Sequence, residues 1–225
     1  MKKILTLMTV VAAMLLTACG SKYAYESVKG DPTQTRIYTL DNGLKVYMSV
    51  SKEEPRIQTY IAVRVGGKND PSETTGLAHY FEHLMFKGTE QFGTQDYAAE
   101  KPMLDEIEQL FEVYRKTEDE AERKAIYKRI DSISYEASKL AIPNEYDKLM
   151  ATIGAQGTNA YTGYDMTVYV ENIPSNQVEN WLKIEADRFK NVVIRGFHTE
   201  LETIYEEKNM SLTQDGRKVY EAMNR

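Results

Sequence analysis

The pattern of apolar and polar positions changes period several times along the chain, and each change predicts an element. Two β-rich runs, Arg36–Leu40 and Leu44–Val50, flank Asp41-Asn42-Gly43, which is the turn chemistry of a hairpin. Arg56–Val65 is a third β-rich run, closed by Gly66-Gly67. A polar loop, KNDPSETT, leads into GLAHYFEHLMFKGTE at Gly76–Glu90. Its helical period covers about Leu77–Lys87, with Gly88 standing where a helix-ending glycine belongs. From Gln95 to about Ala141 there is no glycine, and Met103, Leu104, Ile107, Leu110 and Phe111 keep helical spacing. Thr117-Glu118-Asp119-Glu120 matches a capping box and predicts a second helix, continued by Ala121, Ala125, Ile126, Ile130 and Ile133. The stretch reads as a helical-hairpin insertion at about 95–145 whose charges line solvated faces. Pro102 predicts a kink or a late start in its first helix.

A short helix is predicted at about Asn144–Ile153, two strands within Thr158–Glu171, and helices over Asn176–Val193 and His198–Asp215. The resulting order, β-β-β-α-(αα)-β-β-α-α, predicts an α+β fold, a largely antiparallel sheet with helices packed on one face. No internal repeat is visible.

Composition changes this picture little. The chain has 225 residues, 42% hydrophobic and 28% charged, enough for one sizeable core. The net charge of -6 comes without a Lys/Arg cluster, which excludes a nucleic-acid binder. The N-terminus adds more. Met1-Lys2-Lys3 precedes an apolar run, Ile4–Leu16, too short to span a bilayer as a mature helix. It ends in Leu16-Thr17-Ala18-Cys19, a tetrapeptide that resembles the bacterial lipobox. Residues 1–18 are therefore expected to be a signal peptide, with Cys19 lipidated and the protein anchored in the bacterial cell envelope, periplasmic or outer-membrane associated. Cys19 is the single cysteine, so no intrachain disulfide can form. Residues 19–35 read as a polar tether and 36–225 as the folded domain.

The chemistry concentrates in the helix at Leu77–Lys87. With His79 at zero on a helix of 3.6 residues per turn, His83 falls at about 40° and Glu82 at about -60°. Leu77, Tyr80, Phe81 and Leu84 fall at roughly 100–200°, on the other side. The apolar face can pack while His79, Glu82 and His83 point together. Histidines at i and i+4 can hold one Zn²⁺, and Glu82 is placed to take a proton from a metal-bound water. Two helix histidines satisfied by hydrogen bonds are the plain alternative. The ligand spacing of two of only three histidines in the chain, with a carboxylate between them, favours metal.

A catalytic zinc takes a third protein ligand and keeps an open position. His198 is one source, although a histidine at a helix start fits a cap or surface position better. The segment GFHTELETIYEEKNM is the stronger source. With Ile204 at the centre of its buried stripe, Glu200 and Glu207 lie at about -40° and -60°, whereas Glu202 and Glu206 face solvent. Either Glu207 or Glu200 can reach a metal.

H-Y-F-E-H is the H-x-x-E-H pattern of inverzincins. With LDNGLKVYM, VRVGGKNDPSETTGLAHYFEHLMFKGTE, GTNAYTGYDMTVYVE and ELETIYEEKNMSLTQDG in that order, the chain resembles the pitrilysin/insulinase family of zinc metallopeptidases from about Arg36 onward, apart from the insertion. The resemblance implies that His79, His83 and Glu207 bind zinc, that Glu82 is the general base, and that Glu200 is an acid supporting the site from behind. It implies that Asn159, Ala160 and Tyr161 form an edge strand to which substrate peptide adds. The implied activity is zinc-dependent endopeptidase hydrolysis of peptides or unfolded segments. Family members pair such a domain with further homologous domains, and a later half supplies an Arg-Tyr pair for substrate. The chain is therefore expected to be a fragment, or to be completed by a second homologous domain or chain. The rival expectation is a non-catalytic zinc-binding or assembly subunit. The gap from His83 to Glu207 is long for the family, and the helical insertion accounts for it.

Overall fold

The computed structural model describes residues 23–223. Residues 1–18, expected to be a signal peptide, and the lipidation candidate Cys19 lie outside the described residues. The chain divides into two units between Pro55 and Arg56.

In the first unit the predicted hairpin forms. Strand β2 (Arg36–Thr39) pairs antiparallel with β3 (Lys45–Met48), from Arg36↔Met48 to Thr39↔Lys45. The Asn-Gly turn closes with Gly43 N–H donating to Leu40 O at 2.8 Å and Leu40 N–H donating to Leu44 O at 2.9 Å. Gly43 takes φ +84°, which favours glycine. A two-residue strand, β1 (Tyr25–Glu26), adds to β2. It lies in the stretch read as a tether, where no local pattern announced it.

The second unit holds the rest. Its sheet runs β4 (Arg56–Val63), β6 (Thr167–Pro174), β5 (Gln156–Thr162), antiparallel throughout. The fold is α+β, as expected, with the strands shared between two three-stranded sheets. Alternation in β6 settles which face packs. Thr167, Tyr169, Glu171 and Ile173 are buried. Tyr169 meets the rings of Phe86 and Phe189, and Glu171 accepts from Tyr146 Oη at 2.8 Å. These partners come from α1 (Leu77–Leu84) and the turn after it, α4 (Glu145–Thr152) and α5 (Val178–Lys190). The pleat therefore directs one face of the sheet to helices.

Beneath that face Arg188 is fully buried, donating to Glu185 from Nε at 3.1 Å and lying 4.4 Å from the Tyr146 ring centroid. Burial pushes the Glu185 carboxyl up, although Arg188 opposes the shift.

Gly66 explains how the loop before α1 is held. A Cβ there would lie 2.5 Å from Gly163 O and 2.6 Å from Met166 N, so the 163–166 turn between β5 and β6 needs glycine opposite it.

The stretch expected to be an insertion forms an αα-hairpin, α2 (Tyr97–Lys116) and α3 (Glu120–Ser138). Ile107, Ile130 and Ile133 form its core. Two details differ from the expectation. The cap of α3 is Asp119, whose carboxylate accepts from Glu122 N–H at 2.8 Å, whereas Thr117 ends α2. An acid two positions later than the capping box took the role because three residues of extended chain suffice for the turn. Pro102 sits inside α2, which starts earlier at Tyr97 under an Asp96 cap. The last predicted helix is two: α6 (Phe197–Leu212) ends at Thr213, and α7 (Asp215–Met223) follows. Among the described residues no helix is long and apolar enough to cross a membrane.

Candidate metal centre

The period that separates polar from apolar positions in α1 also aims its side chains. The helix starts at Gly76, whose N–H donates to Asp70 Oδ2 at 2.7 Å, and the same carboxylate takes Ala78 N–H at 2.8 Å. Asp70 thus caps two free donors of the first turn and fixes the direction of the helix. From there α1 packs against β5, β6 and α6.

On its polar face His79 Nε2 and His83 Nε2 lie 3.2 Å apart, one turn from each other. Helix α6 brings Glu207 to them, with Oε2 at 3.7 Å from His79 Nε2 and 3.6 Å from His83 Nε2. Among the described residues these three form the one group of ligand atoms within 4.8 Å of one another that can hold a metal ion. His79 and Glu207 keep about two-fifths of their side chains exposed (41% and 40%), so the group is open on one side.

His83 is held from behind. Its Nδ1 lies 3.0 Å from Glu200 Oε1. A carboxylate can only accept, so Nδ1 carries the proton and Nε2 presents its lone pair towards His79 and Glu207. The other Glu200 oxygen pairs with Lys87, which stands one turn after His83 on the same side. Burial would raise the Glu200 carboxyl, but the hydrogen bonds and charges of Lys87 and His83 outweigh it and hold the group below the usual carboxylate range. Glu200 therefore stays an acceptor for the imidazole.

Glu82 is buried, at 6% exposure, beside the histidines in sequence and on the sheet side in space. The Thr162 hydroxyl, at the end of β5, donates to Glu82 Oε2. Thr162 pairs with Thr167, whose hydroxyl donates to Val65 O at 3.0 Å. Tyr80, on the other face of α1, donates its hydroxyl to Phe197 O at the start of α6. Burial, helped by the Glu200 charge, pushes the Tyr80 phenol up to about 12, so it remains a donor.

Sequence reasoning left Glu207 and Glu200 open as partners of the histidines and set Glu202 and Glu206 towards solvent. The structure brings both Glu207 and Glu200 to α1, Glu207 to the Nε2 side and Glu200 to Nδ1. Glu202 and Glu206 are exposed. His198 stands away from the group, its ring 5.9 Å from that of Phe111. Asn159, Ala160 and Tyr161 lie on β5, which hydrogen-bonds to β6 alone and is an edge of its sheet. Ala160 shares the helix-covered face with Thr162, whereas Asn159 and the exposed Tyr161 point to the other. Thr162 and Lys87 were missed. Period two from Ala160 would have found Thr162, and period four from His83 would have found Lys87.

Comparison with known proteins agrees with this geometry. Residues 45–109, which include α1, match the family model described as Insulinase (Peptidase family M16). Insulin-degrading enzyme of Drosophila melanogaster is 37% identical over 62 residues, 28% of this chain and 6% of the relative. Protease 3 of Escherichia coli K12 is 28% identical over 102 residues, 44% of this chain and 11% of the relative. Among solved structures, pitrilysin superposes with a TM-score of 0.55 at 17% identity, over 88% of this chain and 16% of that one. The first half of the periplasmic protease PqqL from Escherichia coli superposes at 0.52 and 19% identity, over 88% of this chain and 33% of that one. The structural likenesses bear on the fold. Over that segment, residues 45–109, the chain is similar to the insulinase, or M16, family of peptidases. The matches span no more than a ninth of the two curated relatives just described, at 6% and 11% of their length.

Proposed function

We propose that this chain carries the zinc-binding part of a metalloendopeptidase of the cell envelope, with His79, His83 and Glu207 as ligands and Glu82 as general base. The observation that carries the reading is the convergence of two Nε2 lone pairs and one carboxylate oxygen within 4.8 Å, beside a buried carboxylate. The donor set fits zinc. Ligands at 2.0–2.1 Å in a tetrahedron are separated by about 3.3 Å, and the group stands at 3.2, 3.6 and 3.7 Å. Two imidazoles and one carboxylate, open on one side, are the set of a catalytic site and not of a closed structural one. When bound, the metal supplies Lewis-acid polarisation of a substrate carbonyl and acidifies a water.

The residues of the chain do the rest. Glu200 and Lys87 keep the His83 tautomer that leaves Nε2 free. Glu82 accepts the proton of the attacking water and passes it to the leaving amine nitrogen. Thr162 orients the Glu82 carboxylate from the sheet. The free edge of β5 at Asn159, Ala160 and Tyr161 lies beside Thr162 and offers backbone groups to which an extended peptide can add. The lipobox-like Leu16–Cys19 supports a lipid anchor, and the likeness to a periplasmic protease supports a place in the bacterial envelope. The chain covers 16–33% of the solved chains it resembles, which supports a further homologous domain or chain holding the substrate from the other side.

Cleavage of an unstructured peptide, measured with this chain alone and together with a candidate second half, tests the reading. Cleavage is expected to stop in chelator and return with zinc. Cleavage that continues unchanged in chelator sinks it, and no cleavage in either arrangement leaves a zinc-binding module without peptidase chemistry. Thr162→Val, which keeps shape but removes the donor, is expected to lower kcat by about tenfold with KM unchanged, the scale of one lost hydrogen bond to a charged group. Steady-state kinetics on the zinc-loaded protein check this, and an unaltered kcat removes Thr162 from its role.

A further inference from the structure

Helix α6 has 16 residues and none of them is buried, yet it delivers Glu207 to the histidines of α1. Glu207 stands ten residues beyond the first, Phe197, about 15 Å along the axis at 1.5 Å per residue. Over such an arm a tilt of about 4° at the start moves the carboxylate by about 1 Å, enough to spoil a metal site. Without a buried residue of its own, α6 takes its direction from its contacts with α1 and from what holds its beginning.

The helical insertion supplies that hold. The ring of Phe197 packs on the ring of Phe111, with centroids 4.9 Å apart, and joins the cluster around the buried Ile107, Ile130 and Ile133. Two residues earlier, Arg195 is buried and donates from Nε to Glu100 Oε1 and Oε2 at 2.8 and 2.9 Å. Its Nη2 donates to Thr89 O at 2.6 Å. Glu100, at 1% exposure, belongs to the first turn of α2. The insertion thus grips the chain on both sides of Gly196, and Tyr80 of α1 takes the carbonyl of Phe197. The solvent-side pair Arg129–Glu106 belongs to the same hairpin and touches none of this.

We propose that the insertion is a positioning element of the metal centre, in which Phe111 and Glu100, acting through Phe197 and Arg195, aim α6 so that Glu207 meets His79 and His83. This rests on the zinc reading above. The test is zinc affinity of the full chain by competition with a chromophoric chelator, alongside circular dichroism and the urea midpoint. Phe111→Ala is expected to weaken zinc at least tenfold, the scale of losing a group that orients a ligand. Phe111→Leu is expected to restore most of the affinity, and Glu106→Ala to leave it within twofold. Glu100→Gln, which preserves shape, is expected to weaken zinc severalfold and carries the test if Phe111→Ala does not fold. With Co²⁺ in place of zinc, the visible band of Phe111→Ala is expected to change in intensity. Wild-type affinity in both Phe111→Ala and Glu100→Gln, even with a lower urea midpoint, overturns the positioning role alone. A wild-type chain that takes up no zinc overturns the zinc reading beneath it.

Discussion

Glu82→Gln is expected to abolish peptide hydrolysis, with kcat/KM falling by roughly 10²–10⁴-fold, while zinc content stays at the wild-type level. The substitution keeps the volume and one acceptor oxygen, so the Thr162 hydroxyl retains a partner and the buried position retains its packing. What it removes is the capacity to hold a proton between the attack on the carbonyl and the departure of the amine. That loss falls on the transition state, so kcat should drop and KM should move little. The ligands are untouched, because the group whose atoms can hold the ion is His79, His83 and Glu207 and does not include Glu82. Kinetics and metal analysis on one preparation check both halves. Retained hydrolysis removes Glu82 from its role, and lost zinc assigns it to binding instead.

The parts legible in the sequence are those that follow a local period. Three polar residues share a face of α1 because 3.6 residues make a turn, and the same arithmetic separates Glu200 and Glu207 from Glu202 and Glu206. The hairpin of β2 and β3 is legible because Asn-Gly between two β-rich runs is a strong local signal for a tight turn. Other features depend on residues far apart in the chain. Thr162 meets Glu82 across 80 positions, and Glu100 meets Arg195 across 95. No periodicity within either segment encodes such a pair. The cap of α3 was misplaced for a different reason: Thr117 and Asp119 are both good caps, and the length of the connection between two packed helices decided between them. The insertion read as a solvated hairpin, and its charges do form surface pairs such as Lys101–Asp105. Its apolar side, however, closes over Phe197, which sequence reasoning left just outside the helix it starts.

Glu207→Ala is expected to cost more zinc affinity than any substitution behind the ligands, above the roughly 10–100-fold typical of groups that only orient them. Glu206→Ala is expected to leave affinity unchanged. The two residues are neighbours with the same charge, so long-range attraction for a cation differs little between them and is screened by salt alike. They differ in direction. Glu207 Oε2 stands 3.6 Å from His83 Nε2, and Glu206 faces solvent. A field effect would make the two losses equal; ligation makes them unequal. Chelator competition on both variants decides between these, and equal losses would return Glu207 to the surface charge of an acidic helix. Glu200→Ala separates a third case. It leaves all three ligand atoms in place but frees the His83 ring and strands Lys87. Its affinity should therefore fall between the other two variants. If it equals that of Glu207→Ala, Glu200 is itself a ligand and the division of labour between the two glutamates reverses.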